Sequence, residues 1–189
     1  MDSIKHLEMP EMLRVLGKAR EKSLRDFCVV LFAFRFGLRA SELSLLKLAD
    51  VENGFVDCKR LKGSLHTRQA IVADSNPLLD VQTVLADYLR QRPDDGSIFL
   101  FTSRLGSGMT RRAMYNLFED AAYRAGIEPG RRNIHICKHS LAVNLRKRGV
   151  PVDIVQRALG HADPGTTLKY YYHTSQGEAT VAIQAAFAS

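Results

Sequence analysis

HICKHSLAVNLRKRGVPVDIVQRALGHADPGTTLKYYY, residues 135–172, holds two helix-like segments flanked by histidines, with three tyrosines behind them. In SLAVNLRKRG the pair Leu141 and Leu145 is spaced i,i+4, and in VDIVQRALG the residues Ile154, Val155, Ala158 and Leu159 share one face. Gly149 and Gly160 end these segments, and Pro151 opens the second, where its missing N–H costs nothing. His161 therefore falls on a turn. Pro164, Gly165 and Thr166 supply turn and N-cap chemistry for a last short helical run that presents the tyrosines.

Upstream, EMPEMLRVLGKAREKS reads as an amphipathic helix with Met12, Leu13 and Leu16 inward and Pro10 at its start. The run FCVVLFAFRF, within a helix from Ser23 to Gly37, is too apolar for a surface and predicts the central core helix. RASELSLLKLADV predicts a short helix with Ser41 as N-cap and Leu43, Leu45, Leu46 and Leu48 packing, which sets Arg39 at a helix–helix corner. GFVDCKRL and RQAIVAD are short strand-like runs joined by KGSLHT, a hairpin with Lys62 near its turn. A helix is expected from Pro77 to about Arg92, with Leu78, Leu79, Val81, Val84, Leu85 and Leu89 at helical spacing, then a short buried run, SIFLF. Thr110 caps a helix whose stripe is Met114, Leu117, Phe118 and Ala121. The tail GEATVAIQAAFAS can form one more helix on Val181, Ile183 and Phe187, or fray.

The 189 residues suffice for a sizeable core, and 46% hydrophobic with 25% charged residues is ordinary globular composition. A formal charge of +7 with pI ≈ 9.5 suits a polyanionic partner such as nucleic acid. Cys28, Cys58 and Cys137 have no metal-ligand spacing and are an odd number, so reduced thiols in a cytoplasmic protein are expected, with Cys137 a small buried apolar residue. No apolar run approaches the ~20 residues of a membrane span, and no basic-then-apolar signal pattern is present.

The chain resembles the tyrosine recombinases of the phage integrase family over roughly residues 8–175. GLRASEL supplies Arg39, RLKGS Lys62, HICKH His135, LGH His161 and TTLKY Tyr170, nine residues after His161. Lys138 stands where the family pattern, His-x-x-Arg, has its second arginine. The resemblance implies a mainly helical α+β catalytic domain with a small antiparallel sheet over residues 1–175, and a tail, 176–189, that can dock on a neighbouring protomer. It also implies double-stranded DNA as partner, a homo-oligomer that is a tetramer in the synapse, and no membrane. A helical DNA-clamping domain precedes this core in most of the family. The chain is then either a catalytic-domain fragment or akin to the short fimbrial-inversion recombinases.

The family's chemistry suits these residue types. Tyr170 attacks phosphorus and holds the DNA 3′ end as a phosphotyrosine, conserving the bond energy, so no nucleotide or metal cofactor is called for. Arg39 grips the phosphate with its planar fork, His135 and His161 donate to developing oxyanions, His135 also serving to accept the tyrosine proton, and Lys62 protonates the leaving oxygen. Glu42, one turn beyond Arg39, orients it or is an ordinary helix-start carboxylate, and His139 supports the site structurally. Lys138 is expected to point into the phosphate site, three residues after His135 and so on the same helix face. It keeps the charge but loses the bidentate fork, which leaves two functions open, a strand-exchange enzyme and a DNA-binding relative that regulates without cutting.

Overall fold

Leu24–Arg35 forms the helix (α2) that the other elements cover: every residue from Asp26 to Phe34 is buried, and Ser23 caps it by accepting from the Asp26 N–H. The computed structural model describes residues 5–61, 64–103, 106–168, 170 and 184. Met9–Lys22 (α1) packs alongside through Met12, Val15, Leu16 and Ala19, its first turn closed by the reciprocal backbone and carboxylate bonds of Glu8 and Glu11. Val81–Gln91 (α4), Arg111–Arg124 (α5) and His135–Lys147 (α6) complete the cover, with Ala40–Leu45 (α3) between α2 and the hairpin. The expected α+β class holds, since Phe55–Cys58 (β1) and Thr67–Ala70 (β2) form one antiparallel pair in which Phe55 faces Ala70 and Cys58 faces Thr67. Val152–Leu159 (α7) and Pro164–Leu168 (α8) follow α6, and a second small core of Ala142, Val143, Val155, Leu159 and Tyr170 joins them.

Several local expectations are corrected, each by a side-chain hydrogen bond or by exposure. The N-cap of α3 is Arg39, not Ser41, because Glu42 folds back to accept the Arg39 N–H at 2.8 Å. The fourth helix begins at Val81 rather than Pro77: Asn76 Oδ1 accepts from the Leu78 N–H, holding a turn, and Asp80 then caps by accepting from Thr83. Asp163, accepting from the Gly165 N–H, caps α8 ahead of Pro164. Leu45 and Ile154, assigned to packing faces, are exposed. Lys62, Tyr171, Tyr172 and the tail apart from Gln184 lie outside the described residues.

Arg60 joins these elements. It continues the inward side of β1 set by Val56 and Cys58, and its guanidinium is wholly buried. It donates to Thr67 Oγ1 at 2.9 Å, the Gly37 carbonyl at 2.9 Å, Glu42 Oε2 at 2.9 Å and the Phe36 carbonyl at 2.8 Å, and reaches the Ala158 carbonyl at 3.4 Å. One side chain thus ties the end of α2, α3, the hairpin and the end of α7. Two left-handed glycines allow the approach. A Cβ on Gly37 (φ +58°) would lie 2.9 Å from Leu159 Cδ2, and one on Gly160 (φ +64°) would lie 2.9 Å from the Leu65 carbonyl oxygen.

Arg60→Met should therefore cost about 3–5 kcal/mol, as expected when one partner of a buried ion pair is removed. Urea unfolding measures it, and a loss below about 1 kcal/mol would show that Arg60 is not the joint between these elements.

Candidate active site

Arg39 follows Gly37 and the buried Leu38 at the corner between α2 and α3. Its Nη1 donates to Glu42 Oε1 at 2.9 Å and to Ser64 Oγ at 3.0 Å, while Nε and Nη2 have no hydrogen-bond partner among the described residues. Glu42 is buried between two guanidiniums, those of Arg39 and Arg60. Burial alone would raise its pKa. The Arg39 N–H and the charges of Arg60, Arg39 and Lys138 outweigh it, so the carboxyl lies below its usual range and stays ionised.

His135 opens α6, where its backbone N–H donates to Asn133 Oδ1 at 2.9 Å and its ring Nε2 lies 3.1 Å from the Tyr115 hydroxyl on α5. Burial, then the Arg39 and Lys138 charges, lower its pKa, so the ring is neutral at neutral pH. His161 follows the left-handed Gly160, its Nδ1 2.8 Å from Thr167 Oγ1 and its backbone N–H bonded to the Gln156 carbonyl at 3.1 Å. The Leu65 N–H donates to the Gly160 carbonyl at 2.9 Å, and Ser64 pairs with His161 as a β-bridge. The hairpin arm just after Lys62 is thereby seated on the His161 turn.

Tyr170 is 3% exposed and lies in the small core, its ring 5.9 Å from that of His139. Burial pushes its hydroxyl up to about 12, with Arg39 acting in the opposite direction. Lys138 is buried as well, and its ammonium donates to the Leu159 carbonyl at 2.7 Å, the last residue of α7. Burial first, then Arg39 and Arg60, pull its pKa down to about 7, with Glu42 opposing.

Arg39, His135, Lys138, His139, His161, Thr166 and Tyr170 line one cavity of about 230 Å³. Five of the six sequence candidates thus meet, and Lys62 lies outside the described residues. A lining with an arginine, a lysine and three histidines suits an oxyanion. A larger cleft of about 630 Å³, with Glu42 and Arg60 in its wall, is lined otherwise by residues such as Leu45, Leu46, Ile98 and Phe99, and we assign the chemistry to the smaller one because the convergent donors are there. Among the described residues no group of three or more His, Cys, Asp or Glu side chains could hold a metal ion, and no helix is long and apolar enough to cross a membrane. The cysteines are buried and desolvation raises their thiols.

Sequence reasoning passed over Arg60, Tyr115, Ser64 and Thr167. For Arg60 a signal existed, its even spacing with Val56 and Cys58 on the inner face of a strand. Tyr115, beside the stripe residue Met114, carried none.

The phage integrase family model matches residues 3–178. Tyrosine recombinase XerA of Pyrococcus furiosus is 30% identical over 172 residues, 89% of this chain and 56% of that protein, so the chain spans little more than half of that relative. The type 1 fimbriae regulatory protein FimE of Escherichia coli K12 is 29% identical over 148 residues, 77% of this chain and 73% of FimE. A crystal structure of XerA recombinase superposes with a TM-score of 0.80 at 21% identity, covering 100% of this chain and 67% of that one. XerH bound to its palindromic difH substrate after cleavage gives 0.75 at 22% identity, covering 94% and 52%. At these identities the two structures establish the fold.

The Lys138 charge can be read without DNA. Its folded pKa, about 7, lies below the roughly 10.4 of an unfolded lysine, so between those values the unfolded chain binds the extra proton and stability rises with pH. Relative to Lys138→Met, the protein should gain up to about 1.4 kcal/mol per pH unit above pH 7. Urea unfolding at pH 7, 8 and 9 tests this, and parallel pH dependences for the two proteins would contradict it.

Proposed function

The chain belongs to the phage integrase family, and from that membership we propose that it is a site-specific DNA recombinase that cuts and rejoins strands through a 3′-phosphotyrosine. The convergence of Arg39, His135, Lys138, His161 and Tyr170 on one small cavity is the observation that carries this reading. The Nε and Nη2 edge of Arg39, without a hydrogen-bond partner among the described residues, suits two phosphate oxygens, and His161 donates to the oxyanion. Tyr170 Oη attacks phosphorus as its proton passes to His135. The phosphorus–O5′ bond breaks, and Lys62 supplies the proton to the departing oxygen. A free 5′-hydroxyl reverses the same step to rejoin. A hydroxyl raised to about 12 is a poor nucleophile unless its proton is removed as it attacks, which is the need His135 meets.

Lys138 in this scheme replaces the arginine fork with one ammonium, in reach of the cavity but bonded to the Leu159 carbonyl. That bond is the one observation favouring the second reading, a DNA-binding relative that does not cut. Residues 1–175 are the catalytic unit of the proposal and 176–189 its arm to a neighbouring protomer, in a homotetramer on duplex DNA in the cytoplasm. The +7 charge supplies the attraction to duplex DNA.

A suicide duplex carrying the cognate site tests the proposal. The protein should form a covalent adduct, Tyr170→Phe should lose it while retaining DNA affinity, and Tyr171→Phe and Tyr172→Phe should keep it. Lys138→Ala should slow single-turnover cleavage about tenfold or more, about 1.4 kcal/mol, with Lys138→Arg equal to or faster than the parent. Binding with no adduct from any of these proteins would favour the non-cutting relative.

A further inference from the structure

Tyr115 takes no part in the scheme above, yet among the described residues its hydroxyl is the hydrogen-bond partner of the His135 ring. α5 carries it one residue past Met114, and that helix is fixed by the Thr110 cap and the buried Met114, Leu117 and Phe118. The hydroxyl lies 3.1 Å from His135 Nε2, and the two rings meet edge to face at 5.9 Å and 89°. His135 lines the cavity and Tyr115 does not, so the phenol stands behind the imidazole. Nδ1 of His135 has no hydrogen-bond partner among the described residues.

We propose that Tyr115 is a positioning residue for His135: it holds the imidazole by Nε2, so that Nδ1 is the ring atom that takes the proton of the attacking tyrosine. This rests on the reading of the cavity as a strand-cleavage site. A phenol suits the task because its oxygen can accept from Nε2–H, the tautomer that leaves Nδ1 open as a base. When the Tyr170 proton arrives at Nδ1, the ring becomes an imidazolium, and the Nε2–H···O bond becomes charge-assisted and stronger. The Tyr170–phosphorus bond forms and the phosphorus–O5′ bond breaks in the same step, Lys62 protonating the leaving oxygen. A carboxylate in the place of Tyr115 would raise the basicity of His135 and keep it charged at rest. A neutral phenol holds the ring without that effect. The charged groups felt by His135 are Arg39 and Glu42 at α3, Lys138 on α6 and Arg111 on α5, with Arg39, Lys138 and Arg111 disfavouring the imidazolium and Glu42 favouring it.

Tyr115→Phe removes the hydroxyl and keeps the ring contact. In the full chain without DNA, nitrogen-15 NMR of the His135 ring should show Nε2 protonated in the neutral form, and the variant should lower the His135 pKa. Single-turnover cleavage on the cognate suicide duplex should fall about three- to tenfold, the size of one neutral hydrogen bond, with DNA affinity within twofold and the acid limb of the pH–rate profile moved downward. In a His135→Ala background the same change should cost nothing further. An unchanged His135 pKa and ring spectrum in Tyr115→Phe would overturn the proposal, as would a penalty that adds in full to that of His135→Ala. The NMR result needs no cleavage, so a protein that never cuts DNA would refute the recombinase reading while leaving the Tyr115–His135 coupling to be decided on its own.

Discussion

The buried contact between Glu42 and Arg60 is the constraint on which the site depends. Two opposite charges, each with a wholly buried side chain, face each other at 2.9 Å, and neither could stay there alone. Burying an ion pair is costly. The cost is offset because Arg60 also satisfies carbonyls at the ends of α2 and α7, and Glu42 takes two further bonds from Arg39. The geometry of Arg39 is therefore inherited from a joint that also fixes where α7 ends. His161 begins two residues after α7, so the corner that holds the arginine and the turn that holds the histidine are set by one guanidinium.

That joint also explains how so many cationic groups share one cavity. Arg39 and Arg60 disfavour the charge of Lys138, while Glu42, lying between the two guanidiniums, favours it. The tension falls on Lys138, which is the group that can lose its proton, and on His135, which is held neutral. An anion entering the cavity would relieve both. The second small core gives the cavity its other wall: Tyr170 packs with Val143, Val155 and Leu159, so α6 and α7 must be docked before the tyrosine has a place.

Patterns carried by the backbone and by apolar spacing were readable from the sequence. The continuous run of α2, the Thr110 cap, the hairpin and the left-handed Gly160 each follow from local propensity. Where long side chains bond to distant backbone, local reading failed. Arg60 reaches carbonyls 23, 24 and 98 residues away in sequence, and Lys138, which lines the cavity, bonds to a carbonyl 21 residues on. The start of α4 was missed for a smaller reason of the same kind, since Asn76 and Asp80 compete with the helix for backbone N–H groups. The candidate residues were found through order and spacing, while the groups that hold them, Arg60, Ser64, Tyr115 and Thr167, come from elements far apart in the chain.

The central claim is that one small cavity, assembled by the Glu42–Arg60 joint, receives the reacting phosphate. A crystal structure of the full chain on a nicked cognate duplex, with vanadate in place of the scissile phosphate, tests it most directly. The expected result is vanadium bonded to Tyr170 Oη, its oxygens within hydrogen-bond distance of Arg39 and His161, and the Glu42–Arg60 contact unchanged. Vanadate bound away from this cavity, or bonded to another side chain with Tyr170 still packed against Val143 and Leu159, would contradict it.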